Sequence, residues 1–303
     1  MQYDLVFEGG GAKGMALVGA YEEFVRRGHT YGRLLGTSAG AIAAALVAAG
    51  YTPAEMLAAL NEREEGRPVF AGFLGEPQPF PREEIRASAI RRLLRNINLK
   101  LVPDFAEEWL DDQIAELLAG DRTGRHLFAF VERGGWYVAD RFVTWLTAKL
   151  DQGTWKGGAR AFSPMTLAQF FDATRVELSL VASDTTGGRL LVLNHNTAPD
   201  CPLVWAVRMS MSIPLVWEEV IWRQEWGSYM GRPLTGHVIV DGGMLSNFPL
   251  ELFISDEPHV TSLMGPKQST PALGMLIDES LPVPQPPQTL GLVVDANIRL
   301  GEL

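Results

Sequence analysis

Leu5-Val-Phe-Glu-Gly-Gly-Gly-Ala-Lys-Gly14 and Gly36-Thr-Ser-Ala-Gly40 are the stretches that decide the fold of this chain. The first passes from an apolar strand (Leu5, Val6, Phe7) through a glycine turn into a helix, Met15 to Arg26. The second leaves a strand, Tyr31 to Leu35, and opens a small-residue helix, Ala39 to Ala49. Each reads as strand, turn, helix. With a third helix from about Pro53 to Glu64, the order βαβα opens a parallel α/β sheet. Gly36-x-Ser38-x-Gly40 also fits the nucleophile elbow, a strained turn that lifts a serine Oγ above the sheet edge and needs glycines where a Cβ would collide with its neighbours. Ser38 is therefore the candidate nucleophile. Gly9, Gly10 and Gly11, at a helix N-terminus, are the candidate oxyanion donors, because unhindered backbone N–H groups there favour developing negative charge.

Working outward, residues 65 to 81 are rich in Gly and Pro and read as a loop, after which helical periodicity returns in Pro81 to Leu101 and Asp104 to Leu118. A helix from Val138 to Leu150 and a shorter one from Thr166 to Asp172 complete a helical insertion over about 65–170. Sheet construction resumes with Val176 to Ala182, a turn at Asp184 to Gly188, and a second hairpin strand from Arg189 to Leu193. Leu203 to Met211 reads as a helix, His237 to Val240 as a strand ending at Asp241-Gly242-Gly243, and Ala272 to Ile277 as a last strand. Four prolines between Leu281 and Gln288 mark residues 281–303 as a tail outside the core. No internal repeat is present.

Composition bounds the function. At 303 residues and 47% hydrophobic, the chain can bury a full core. Cys201 is the single cysteine, which rules out an internal disulfide framework and a Cys-rich zinc site and points to a reducing compartment, with the cytoplasm as the expectation. The first eight residues carry no basic region before an apolar stretch, and no apolar run is long enough to cross a bilayer. A net charge of −10 excludes broad nucleic-acid binding.

Several alternatives compete for the same residues. Gly9-x-Gly11-x-x-Gly14 matches the dinucleotide fingerprint, but the second strand ends in Gly36-Thr37-Ser38 where a ribose-binding acid belongs. A phosphate-binding loop fails because Gly14, not Ser or Thr, follows Lys13. The bland reading of the glycine run is a tight turn, and that of Asp241-Gly-Gly is an Asx-capped turn. A Ser-His-Asp hydrolase remains a rival, although His259 is the only histidine after Asp241 and lies in what reads as a polar surface loop. His29, His126, His195 and His237 lack motif context. Over residues 82–100, six basic side chains against two acidic ones share a helix with an apolar stripe (Ile85, Ala89, Leu93, Ile97), which suits either a lipid surface or the protein's own core. Trp217, Trp222, Trp226 and Tyr229 pose a similar choice between core filler and the rim of an acyl site.

In order and content these blocks resemble the patatin-like phospholipase family over roughly residues 1–280. Glu8 to Gly14, with Ala12, Lys13 and Gly14 completing the turn, is similar to its oxyanion loop. Gly36, Thr37, Ser38, Ala39 and Gly40 are similar to its nucleophile motif, and Asp241-Gly242-Gly243 with Asn247-Phe-Pro249 to its catalytic-aspartate block. Val181 to Gly187 and Ala206 to Pro214 are weaker matches. The resemblance implies a three-layer α/β sandwich with a mostly parallel central sheet and a helical insertion. It further implies a phospholipase A or lysophospholipase type of lipid acyl hydrolase using a Ser38–Asp241 dyad, without metal or cofactor. Its partners would be membrane phospholipid or another acyl-ester lipid, met peripherally through residues 82–101. A homo-oligomer or a regulatory partner stays open, as do a Ser-His-Asp esterase of soluble esters and a catalytically silent binding module.

Overall fold

The computed structural model describes residues 1–90, 92 and 121–277. At its centre lies a seven-stranded sheet. Strands β1 (Gln2–Phe7), β2 (Thr30–Thr37) and β3 (Leu178–Asp184) run parallel, joined at the β1 edge by parallel β7 (Ala272–Met275). Antiparallel strands complete it: β4 (Arg189–Leu193) forms the expected hairpin with β3, β6 (Val238–Asp241) pairs β3, and β5 (Val220–Ile221) pairs β6.

The two-residue period of the strands sorts their apolar side chains into two cores. Leu5, Phe7, Leu34, Leu178, Leu180 and Ala182 join one cluster, while Val6, Leu35, Val181 and Val192 join the other. The first face is covered by α1 (Met15–Arg26), α2 (Ala39–Ala48), α3 (Pro53–Leu60), α6 (Asp140–Asp151), α7 (Leu167–Thr174) and α8 (Leu203–Ser210). The second is covered by a single turn, Glu251–Ile254, and by α9 (Pro258–Met264). The result is the expected three-layer α/β sandwich.

Local sequence explains the helices nearest the site. α2 is apolar on nearly every side and correspondingly buried, as a helix sandwiched between sheet and insertion must be. Its small residues permit close approach: a Cβ on Gly40 would sit 2.2 Å from the Phe7 carbonyl oxygen. α3 starts at a complete capping box, Thr52 with Glu55, and carries Pro53 in its first turn.

The insertion departs from expectation in four places. The third helix stops at Leu60, and Arg63–Glu64 pairs antiparallel with Arg67–Pro68 around Glu65 and Gly66, both at positive φ. The loop expected over 65–81 contains a 3₁₀ turn, Val69–Phe73. The helix expected from Pro81 to Leu101 is broken: α4 (Arg82–Ala87) ends at Ser88, whose backbone is extended, and the N–H groups of Ala89 and Ile90 turn instead to the Glu132 carboxylate at 2.8 Å each. Ile85 packs inward with Phe80, Phe128 and Ala129, so this end of the stripe faces the protein's own core. Ala89, the next position of the stripe, is exposed, while Leu93, Ile97 and the helix expected over 104–118 lie outside the described residues, as does the proline-rich tail. Helix α5 (Arg122–Arg133) was not anticipated, although Asp121 caps its start and Gly134, at φ +70°, ends it. Similarly, α9 occupies the stretch read as a polar loop, and His259 is an exposed residue of its first turn.

Candidate active site

The register of β3 brings the two candidate catalytic residues together. With β4 occupying one edge of β3, the opposite edge is shared end to end by two strands. β2 pairs there as far as Thr37 with Val181, and β6 arrives from the other direction, pairing Asp241 with Ala182. The C-terminal ends of β2 and β6 thus meet at consecutive residues of one strand. Ser38 follows the first and Asp241 ends the second.

Ser38 has φ 54° and ψ −123°, the strained conformation that an elbow requires. It is held there by its surroundings. Its N–H donates to Ser210 Oγ at 3.1 Å, and that hydroxyl donates to the Val181 carbonyl at 2.6 Å. A Cβ on Gly36 would lie 2.3 Å from the Gly40 carbonyl oxygen, which explains the glycine before the serine. Ser38 itself is only 6% exposed.

Asp241 is equally buried. Its N–H donates to the Ser212 carbonyl at 2.8 Å and its Oδ1 accepts from Gly243 N–H at 2.7 Å. Burial raises the carboxyl above its ordinary value, opposed by the nearby Ser38 hydroxyl and by Gly243 N–H. Among the described residues Oδ2 is buried and completes no hydrogen bond, while the Ser38 hydroxyl lies near enough to the carboxyl to lower its pKa. A buried carboxylate oxygen without a partner is a base with a vacant lone pair. Arg208, its own pKa lowered to about 10 by burial, steadies the turn that holds Asp241: it donates to Ser212 Oγ and, at 2.7 Å, to the Glu218 carbonyl.

The three glycines of the first turn divide their roles. Gly9 differs from expectation, because its N–H donates to the Asn247 carbonyl at 3.0 Å and is engaged. Gly9 is instead a close-approach residue: a Cβ would lie 2.2 Å from Asn247 Oδ1 and 3.2 Å from Ser38 Cβ. Among the described residues, neither Gly10 nor Gly11 N–H has an acceptor, and Gly11 takes φ +51° at the start of the 3₁₀ turn Gly11–Gly14. Asn247 Nδ2 also donates to the Gly9 carbonyl at 2.9 Å, and Thr37 Oγ1 donates to the Ser246 carbonyl at 3.3 Å. The segment after Asp241 therefore ties the glycine loop and the elbow to each other. Gly242 closes on β3, where a Cβ would lie 2.3 Å from the Val181 carbonyl oxygen.

Ser38 opens into a cavity of about 330 Å³ with almost wholly apolar walls. α1 to α3 contribute Met15, Val18, Ile42, Leu46, Met56 and Leu60, and the far side is closed by Phe70, Phe73 and Leu74 from the insertion together with Met211, Ile213 and Trp217. Of the aromatic cluster, Trp222, Trp226 and Tyr229 are core and only Trp217 reaches the cavity.

No histidine joins Ser38 among the described residues. His126 Nδ1 lies 2.6 Å from the Trp136 carbonyl, His195 stacks on Phe171, His29 packs against Tyr3 and Phe24, and His237 meets Asp184 at the far end of β6 from Asp241. Nor does any group of three or more His, Cys, Asp or Glu among them stand ready to hold a metal ion. No helix there is long and apolar enough to cross a membrane.

Ser210, Arg208 and Asn247 carry supporting roles that the sequence did not assign. They sit in the Ala206–Pro214 and Asn247–Pro249 blocks, and the signal was polar side chains inside otherwise apolar segments that pack on the sheet.

A strained serine and Gly11 line an apolar cavity, with a buried carboxylate at the end of β6. Residues 5–254 match the family described as patatin-like phospholipase, and the chain belongs to it. Among its relatives is the uncharacterized protein YqhO of Bacillus subtilis (strain 168), 31% identical over 276 residues that cover 88% of this chain and 73% of that one. Of solved structures, VipD from Legionella pneumophila is 17% identical with a TM-score of 0.41, over 82% of this chain and 47% of that one. ExoU of the Pseudomonas aeruginosa type III secretion system, solved with SpcU, is 23% identical with a TM-score of 0.36, over 70% of this chain and 38% of that one. The chain spans about half of the first and under two fifths of the second, and the likeness reaches no further than the fold.

Proposed function

We propose that the protein is a lipid acyl hydrolase of phospholipase A or lysophospholipase type, working by a Ser38–Asp241 dyad. Ser38 Oγ attacks the ester carbonyl while Asp241 Oδ2 accepts its proton. The oxyanion forms against the N–H groups of Gly10 and Gly11, and the acyl chain lies in the apolar cavity. Asp241 then returns the proton to the leaving alcohol, and a water deprotonated by the same carboxylate releases the fatty acid. Burial suits Asp241 to this task, since a carboxyl raised above its ordinary value is a stronger base.

The observation that supports the reading is the end-to-end meeting of β2 and β6 on β3, with the Ser38 hydroxyl acting on the Asp241 carboxyl. Family membership supports the lipid substrate class, and the apolar cavity supports a fatty acyl group in particular. The test is fatty-acid release from phosphatidylcholine and lysophosphatidylcholine by wild type, Ser38→Ala and Asp241→Asn. Release by wild type and its loss in both folded variants is expected. Residual release by Asp241→Asn near the wild-type level would overturn the dyad, and no release by wild type from either lipid would overturn the substrate class.

A further inference from the structure

The insertion forms a second, more open cleft that shares a wall with the first cavity. It measures about 280 Å³ and is lined by Val69, Phe73 and Trp145, with Thr144 and the exposed Glu64–Arg141 ion pair at its polar side. Among the described residues, Phe73 is the one that lines both spaces. Its ring stands edge-on to Phe142 at 5.3 Å and lies 5.1 Å from Trp145.

The backbone carrying this ring is anchored on either side. Val69 N–H donates to the Glu62 carbonyl at 2.9 Å, Gly75 and Val138 exchange two backbone hydrogen bonds of 3.0 Å, and the Phe73 carbonyl accepts from Trp217 Nε1 at 3.1 Å. Trp217 lines the first cavity, so the anchor and the partition belong to one assembly. The 3₁₀ turn is thus held at both ends, with the Phe73 side chain facing both spaces. Joined, they would offer an acyl chain nearly twice the room of the first.

Building on acyl hydrolysis at Ser38, we propose that Phe73 is the residue that sets the longest acyl chain the enzyme accepts, by sealing the first cavity from a second that extends it. The phenyl ring meets the methyl end of a chain whose carboxyl carbon is at Ser38. A longer chain must expel the ring or leave its last carbons in water. Each methylene brought out of water favours binding by about fourfold, so two more buried methylenes are worth more than tenfold.

The experiment measures kcat/KM for 4-nitrophenyl esters from butanoate to hexadecanoate and reads the ratio of long-chain to short-chain values, which cancels differences in active fraction. In wild type the ratio should fall beyond an optimum chain length. Phe73→Ala should move that optimum to longer chains and raise the ratio there by at least about tenfold. Adding Thr144→Trp, which refills the second cavity from its own wall, should restore the wild-type limit. Phe73→Leu gives the same direction with a smaller shift, and serves if the alanine variant does not fold. An unchanged profile in both Phe73 variants, or a longer limit that survives Thr144→Trp, overturns the proposal, the latter by showing that loosened packing and not the second cavity admits the chain. Wild type inert towards every ester would instead refute hydrolysis at Ser38.

Discussion

Replacing Asp241 by Asn should abolish turnover and yet make the protein more stable at neutral pH. The Asp241 side chain is 4% exposed, and only its Oδ1 is satisfied, by Gly243 N–H. An amide keeps that acceptor, removes the buried charge and offers its Nδ2 donor to the neighbouring Ser38 hydroxyl oxygen. Holding a buried acceptor without a partner costs about 1–3 kcal/mol, which this exchange relieves. In a domain of this general size each kcal/mol moves the unfolding midpoint by roughly 2–4 °C, so a rise of several degrees is expected. The pH dependence follows from the raised carboxyl. Ionising Asp241 is harder in the folded state than in the unfolded chain, so the penalty is fully present above the folded-state value. It fades as pH falls through that value towards the ordinary carboxylate range. Thermal unfolding of wild type and Asp241→Asn, followed by circular dichroism from pH 8 to pH 4, should show a gap that closes on acidification. A variant less stable than wild type at neutral pH, or a gap that does not narrow, would refute the claim that function holds this carboxylate in a disfavoured state.

Three further outcomes follow from the same geometry. The acidic limb of kcat/KM should report a pKa above the ordinary aspartate value of 3.8, because only ionised Asp241 accepts the serine proton; a limb at or below 3.8 would contradict the burial argument. Ser210→Ala leaves the buried Ser38 N–H unpaired, so it should lower kcat by about tenfold or more and stability by ~1–3 kcal/mol, measured by ester turnover and urea unfolding. Single replacements of His29, His126, His195, His237 and His259 by Asn should each leave turnover within about tenfold, since loss of a general base removes ~10²–10⁴; one folded but inactive variant would replace the dyad by a triad.

The sheet and the two turns that carry Ser38 and the glycine run were legible because their signals are local. Strand, glycine turn and helix fall within a dozen residues at Leu5 to Gly14 and again at Tyr31 to Gly40, and the period-2 alternation that divides Leu5 and Phe7 from Val6 is written into the strand itself. Gly9 shows the limit of that reading. Its place in the glycine run is local, but the acceptor that engages its N–H is the Asn247 carbonyl, far away in sequence. The break at Ser88 had the same cause, since Glu132 supplies the acceptors that start a new helix at Ala89. Helix α5 is polar overall, with Gly124 near its start, and the buried contacts of Phe128 and Ala129 that stabilise it come from elsewhere in the fold. The cavity could not be read at all. Its walls come from α1, α2, α3, the 3₁₀ turn at Val69–Phe73 and the segment from Met211 to Trp217, and only folding makes them neighbours.

Strand β3 behaves as a ruler: Val181 and Ala182, one peptide apart, index the ends of β2 and β6. The spacing of Ser38 and Asp241 is thereby fixed by backbone pairing in the centre of the sheet, whereas part of the cavity wall, Phe70, Phe73 and Leu74, is borrowed from the insertion. Under the proposed dyad, reactivity and selectivity would be inherited on separate stretches of chain. Exchanging the segment around Val69–Phe73 for that of a relative should transplant a preference without re-tuning the chemistry, which makes this turn the natural place for lineages, and for engineers, to diversify the enzyme.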